Sequence, residues 1–211
     1  MTTLRPFAPT DILRFNNINA DSWTATYHNG YYSSYVAQWP SFCVTAENTS
    51  GDITAYMIGK HEPPPPDTNH HGHLTALSIS PGARGTGLAR VFMDILEALS
   101  GSSAALSSDV AAPSDKVEVE ESPSRKANQD AVDAWFVDLF VRCNNERAVE
   151  MYERMGYSVF RRVVDYYTGM GESRDEKDGF DMRKSMPRDT AKRYVRPNGR
   201  DLLVEPDQVW A

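Results

Sequence analysis

Leu74-Thr75-Ala76-Leu77-Ser78-Ile79-Ser80-Pro81-Gly82-Ala83-Arg84-Gly85-Thr86-Gly87-Leu88-Ala89-Arg90 carries an apolar, strand-like run into a glycine-rich turn and then into an amphipathic helix. Leu88, Val91, Phe92, Ile95, Leu96 and Leu99 fall at i, i+3, i+4, i+7, i+8 and i+11, which predicts one apolar stripe laid on a sheet. The turn therefore sits at a helix N-terminus, where the first amide N–H groups lack intrahelical partners and the macrodipole is positive. Both effects favour phosphate oxygens. Gly85 and Gly87 let backbone donors approach a ligand with no Cβ in the way. A plain tight connection has the same composition, so this segment alone leaves phosphate binding and a simple turn both open.

A second segment narrows the choice. Phe136-Val137-Asp138-Leu139-Phe140-Val141 reads as a buried strand, and the helix after it can be N-capped by Asn144 or Asn145 and ended by Gly156. Ala148, Met151, Tyr152 and Met155 share one face of that helix. Taken in order, the two segments resemble the acetyl-CoA-binding core of the GNAT acyltransferases. Arg84, Gly87 and Ala89 match Arg-x-x-Gly-x-Ala, and Asn145, Ala148, Tyr152, Gly156 and Tyr157 match Asn-x-x-Ala-x-x-x-Tyr-x-x-x-Gly-Tyr. The resemblance extends further. Met1-Thr2-Thr3-Leu4-Arg5-Pro6-Phe7, Phe15-Asn16-Asn17-Ile18-Asn19, Thr26-Tyr27, His71-Gly72-His73-Leu74-Thr75-Ala76-Leu77-Ser78, Phe136 to Arg142 and Tyr166-Tyr167 look like the catalytic subunits of the N-terminal acetyltransferase B complex, NatB.

The fold class this implies is α/β: a GNAT fold with a single mixed central sheet flanked by helices. The acetyltransferase domain is expected over 1–100 and 134–184. Residues 101–133, rich in Ser, Ala, Asp, Glu, Lys and Pro with almost no aromatics, read as a disordered low-complexity insert between the third helix and the next strand. That insert is either a regulatory arm or a tolerated surface excursion. Residues 185–211 form a C-terminal tail with no amphipathic pattern, expected to be loosely ordered or pinned by a partner.

Around these landmarks the chain predicts a strand at 3–7, a helix capped by Thr10 with Ile12, Phe15 and Ile18 on one side, and a helix at 31–38. A hairpin of 41–47 with 53–60 follows, joined through Asn48-Thr49-Ser50-Gly51-Asp52. Pro63 to Pro66 mark a stiff extended loop, and 159–167 and 180–184 read as the last two strands.

A chain of 211 residues with 40% hydrophobic content can build one proper core. A net charge of −7 argues against a general nucleic-acid binder. The N-terminal run lacks the apolar core of a signal peptide and no run reaches membrane-spanning length, so no membrane partner and a cytoplasmic location are expected. Asn48-Thr49-Ser50 then matches a glycosylation acceptor by coincidence, and Cys43 and Cys143 read as free thiols. His70, His71 and His73 with Asp67 invite a metal reading, but a closed zinc site wants four ligands and the cysteines are distant in sequence. No metal is expected.

The resemblance implies acetyl transfer from acetyl-CoA to the α-amine of an initiator Met retained before Asp, Glu, Asn or Gln. Arg84, Gly85, Thr86, Gly87, Leu88, Ala89 and Asn145 would then hold the cofactor, with backbone groups near Leu77 and Ile79 pairing with its pantetheine arm. Tyr152 would be the general acid for the departing thiolate, although its helical spacing also suits a core aromatic. His73 is a proton relay or a satisfied structural histidine. Tyr27, His73, Thr75, Tyr166 and Tyr167 would line the peptide cleft, with ordinary strand aromatics as the lesser reading of the last two. His73 and Thr75 are two apart on a strand and so share a face. Hydroxyl and imidazole donors there suit carboxylate and amide side chains.

Two departures from the family pattern bear on this. Gly85 stands where the family's loop often has a second basic residue, and Ala25 where related subunits can have glutamate. Partners implied by the resemblance are a helical-repeat auxiliary subunit, docked on the first two helices near Trp23 or Trp39, together with the ribosome and the N-terminus of the nascent chain. Two other readings remain at this level: a GNAT enzyme acting on lysines or small amines, and a non-catalytic acetyl-CoA-binding module.

Overall fold

The computed structural model describes residues 1–21, 23–62, 70–101, 132–167 and 173–209. Strands β1 (Thr3–Pro6), β2 (Cys43–Glu47), β3 (Ile53–Glu62), β4 (His71–Ile79), β5 (Phe136–Arg142), β6 (Ser158–Val163), β7 (Gly179–Ser185) and β8 (Leu203–Val204) form one sheet in the order β1-β2-β3-β4-β5-β7-β6-β8. The pairs β4–β5 and β6–β8 are parallel and the others antiparallel, so the sheet is mixed, as expected. The helices are α1 (Asn16–Asn19), α2 (Asn29–Gln38), α3 (Leu88–Ser100), α4 (Glu146–Arg154) and α5 (Arg174–Lys177).

Two apolar clusters cover the sheet. One packs α3 and α4 through Phe92, Met93, Leu96, Val149 and Tyr152; the other packs α1 and α2 through Phe15, Ile18, Tyr32, Tyr35 and Val36. Phe92, Met93 and Leu96 are fully buried, each worth about 1.5–3 kcal/mol of transfer free energy. The buried stripe of α3 centres on these three rather than on the whole predicted set, since Val91 is 40% exposed near the helix start.

The sheet opens at its middle. β4 pairs with β5 only from His71 to Leu74, so the strands diverge from Thr75 onward. On the other side β4 stays paired with β3 as far as Ile79, across an irregularity at Ile58/Gly59. Glycine suits that irregularity because a Cβ on Gly59 would crowd its neighbours, at 3.0 Å from His73 O and 3.1 Å from Leu96 Cδ1. The splay leaves the far half of β4 and the end of β5 facing each other across a gap.

Three expectations change. Thr10 caps nothing: Ala8 is the N-cap of a 3-10 turn, Pro9–Leu13, and α1 is a separate single turn. Pro9 and the buried Asp11, bound by Ala8 N–H and by Arg5, shape that entry. The strand expected over 159–167 ends at Val163, with Asp165 at φ 47° turning the chain. The tail is built into the sheet, for Arg162 and Val164 N–H donate to Leu202 O and Val204 O, and the buried Asp189 accepts from Arg193 and Tyr194 N–H. Its pattern was unreadable because scattered contacts hold it, with Met186 in the core, Tyr194 stacked on Phe136 at 5.1 Å, backbone hydrogen bonds and the Asp189 carboxylate, rather than an apolar stripe.

Most of the expected insert lies outside the described residues, as does the Pro63–66 run. Its two ends stand together, Ala134 N–H donating to Ser100 O at 2.8 Å.

Candidate active site

The gap between β4 and β5 is a cleft of about 800 Å³. One end is the turn after β4. Gly85 and Gly87 have φ of 78° and 88°, a conformation other residues reach only with strain, and a Cβ on either would meet nothing within 4 Å. Gly87 is the N-cap of α3 and carries no side chain to satisfy the helix's first amides. Five arginines, Arg84, Arg90, Arg142, Arg147 and Arg154, line the same cleft. Arg90, Arg147 and Arg154 escaped the sequence reading; their alternation with acidic residues on helix surfaces hid them. They supply positive charge that Gly85 does not.

At the centre, Asn145 caps α4 by accepting from Ala148 N–H, as its position predicts. This places Tyr152 two turns on, its side chain buried yet lining the cleft. Burial pushes its phenol above the ordinary tyrosine value, and burial does the same to Tyr27, Tyr166 and Tyr167. All four therefore keep their hydroxyl hydrogens near neutral pH.

The other end is aromatic and polar. Tyr27 stacks on Tyr31 at 4.3 Å between ring centroids, and Tyr166 stacks on Phe140 at 4.4 Å. Tyr167 stands edge-on to Tyr166, with the Arg142 guanidinium 4.2 Å from its ring centroid. Ala25 lines this end too. Thr75 Oγ1 and Asn144 Oδ1 are buried at the cleft without a hydrogen-bond partner. A bound molecule that supplies their missing partners would remove that cost.

Leu77, Ile79, Arg84, Leu88 and Ala89 also line the cleft, so the residues singled out from sequence converge on it with one exception. Thr86 does not line it, because its hydroxyl turns back to donate to Ala83 O at 2.7 Å. His73 lines the cleft while its Nδ1 lies 2.8 Å from Asp138 Oδ1. Sequence reasoning passed over Asp138 inside an apolar strand; a lone acid in such a run was the signal. Among the described residues no group of three or more His, Cys, Asp or Glu side chains is arranged to hold a metal ion. Cys43 and Cys143 are unpaired, and burial pushes both thiols up to about 12.

Residues 12–115 match the model of the acetyltransferase (GNAT) family. The chain is 37% identical to the N-terminal acetyltransferase B complex catalytic subunit naa20 of Schizosaccharomyces pombe over 211 residues, covering 99% of both chains. The chain belongs to the NatB catalytic subunits. The structure of Chaetomium thermophilum Naa20 in complex with a bisubstrate analogue superposes on this NatB-type subunit with a TM-score of 0.78, at 36% identity, over 99% of this chain and 100% of that one. A NatB acetyltransferase complex bound to a bisubstrate inhibitor gives a TM-score of 0.73 at 29% identity, over 98% of each chain. The NatB-type subunit is thus an acetyl-CoA-dependent N-terminal acetyltransferase. Open glycine positions, an uncapped helix N-terminus and the arginines lining its cleft suit the phosphates of that co-substrate.

Proposed function

We propose that the chain acetylates the α-amine of an initiator Met retained before Asp, Glu, Asn or Gln. The observation that carries this is a single cleft joining the phosphate-suited turn to a pocket of tyrosines and the unpartnered Thr75 Oγ1. Tyr27, Thr75, Tyr166 and Tyr167 are the peptide-binding side chains, and their hydroxyls can serve both carboxylate and amide side chains. A pocket built on such donors rejects apolar second residues, which would leave those donors unpaired.

In the reaction a C–N bond forms at the thioester carbonyl, the C–S bond breaks, and the sulfur departs as thiolate. An ammonium substrate loses two protons, one of which ends on the sulfur. Tyr152, held protonated by burial, delivers that proton. His73 takes the other as a relay to solvent. An α-amine with pKa near 7.7–8.0 is already roughly 10–20% neutral at pH 7, whereas a lysine needs about 4.6 kcal/mol to lose its proton there. A histidine relay is adequate for the first task. This favours an α-amine acceptor over a lysine.

NatB relatives are named as subunits of a complex, and the same setting is proposed here: a helical-repeat auxiliary subunit on the α1–α2 face, at the ribosome, acting on nascent chains in the cytoplasm. Trp23, 47% exposed at the cleft mouth, is available to that partner, while Trp39 packs between Tyr35 and His61. No described helix is long and apolar enough to cross a membrane.

Acetyl-CoA turnover on matched peptides beginning Met-Asp, Met-Leu and Ser-Glu, and on a blocked peptide with a free lysine, tests the proposal. Preference for Met-Asp is expected. Preference for the lysine peptide, or binding of acetyl-CoA with no turnover, would overturn it.

A further inference from the structure

His73 and Asp138 are cross-strand partners in the short parallel stretch of β4 and β5, immediately before the strands part. Asp138 is 3% exposed, and a carboxylate so placed is costly unless charges and donors surround it. They do. His73 Nδ1 lies 2.8 Å from Oδ1, His71 Nε2 lies 4.0 Å from Oδ2, and Arg183 stands opposite Asp138 on β7. His71 is itself fixed, stacked on Phe136 at 4.6 Å and 5° and facing Glu62 at 3.6 Å. An apolar residue would fill this place at less cost, so the carboxylate calls for a role beyond packing.

We propose that Asp138 is a positioning residue for the transfer step, fixing the tautomer and orientation of His73 so that Nε2 is the proton-accepting atom presented to the cleft. The logic is one of donors and acceptors. An ionised carboxylate only accepts, so the short contact requires a hydrogen on Nδ1, and a neutral ring then has its lone pair on Nε2. Burial alone would raise the Asp138 pKa, but His73, His71 and Arg183 outweigh it and hold the group below its ordinary value, in the accepting form. The opposite tautomer would leave two acceptors face to face. Nδ1–H donated to Asp138 also stops the ring from turning away as it takes up charge.

This inference rests on the proposed relay role of His73, and the test separates the two. In the full chain, kcat and KM are measured for wild type, His73→Ala, Asp138→Asn and the double variant. Asp138→Asn should lower kcat by about 10- to 100-fold with KM for acetyl-CoA changed less than about twofold, and should add no further loss of kcat in the His73→Ala background. Losses that multiply would show that Asp138 acts independently of His73 and overturn the inference. An unchanged kcat in His73→Ala would overturn the relay reading itself, and the inference with it. Nitrogen NMR of the wild-type imidazole reads the tautomer without any variant, and a hydrogen on Nε2 of the neutral ring would also overturn it.

Discussion

Arg84 and Asp21 form an ion pair that ties the turn after β4 to the loop carrying Tyr27, with Arg84 Nε also donating to Ile79 O at 3.1 Å. A phosphate competing for Arg84 must displace the Asp21 carboxylate or share the guanidinium with it. The pair joins the cofactor turn to the loop that leads to Tyr27, so filling the cofactor end releases a restraint on that loop. Arg84 is about one-third exposed, and a pair in that setting is worth about 0.2–1 kcal/mol. Asp21→Asn should accordingly tighten CoA binding about two- to fivefold, while Arg84→Ala weakens it. Titration calorimetry with CoA decides this, and weaker binding by Asp21→Asn would mean the carboxylate holds the turn in its binding shape.

Tyr152→Phe keeps the buried ring and removes only the hydroxyl. Its ring packs against Tyr157 at 5.9 Å, a contact the variant retains. A general acid contributes about 10²–10⁴ in rate, so kcat should fall by at least about 100-fold while the melting temperature and CoA affinity stay near wild type. Because burial raises the phenol pKa, wild-type kcat should show no alkaline loss from tyrosine ionisation up to about pH 9. Unchanged turnover in the variant would return Tyr152 to the role of a core aromatic.

Glu62 ties the pH dependence of stability to the charged row beside the cleft. Burial would raise its pKa, but hydrogen bonds from His71 and Lys60 and the charges of Lys60 and His73 bring it down to about 2. A carboxyl depressed in the folded state stabilises the fold above its unfolded pKa, and that contribution drains away as pH falls through the unfolded value toward the folded one. The fold should therefore lose about 1–3 kcal/mol from this group between about pH 4.5 and pH 2, with Asp138 adding a loss of the same sign. Chemical denaturation across that range should show a smaller loss for Glu62→Gln. An equal slope for the variant would place the acid sensitivity elsewhere.

How much of this was legible in the sequence depended on what kind of interaction fixes each part. Glycines flanking Thr86 and the Asn145–Tyr157 pattern were readable because local backbone demands, a positive φ or a helix cap, act within a few residues. Asp138 and Asp21 were not, since each has its meaning in a partner 65 or 63 residues away. The 3-10 entry before α1 was missed because Pro9 and the Arg5–Asp11 pair override an apolar spacing that suits a continuous helix.

Gly199 shows the same limit in the tail, and offers its test. The residue looks like an ordinary loop glycine in sequence, yet its N–H donates to Val159 O at 2.7 Å, and a Cβ there would lie 2.1 Å from the Phe160 carbonyl oxygen. Those neighbours are backbone atoms of a paired strand, which cannot swing aside as a side chain can. Gly199→Ala must therefore either push the tail off β6, breaking the contacts of Leu202 and Val204, or distort β6 itself, at a cost of about 2 kcal/mol or more. Gly82→Ala is the matched control, since a Cβ there meets nothing within 4 Å, and its stability should stay within about 0.5 kcal/mol of wild type. Thermal melts of the two variants set the cost of displacing the tail against a substitution that displaces nothing, and a Gly199→Ala protein that melts with wild type would show that the tail leaves β6 at little cost.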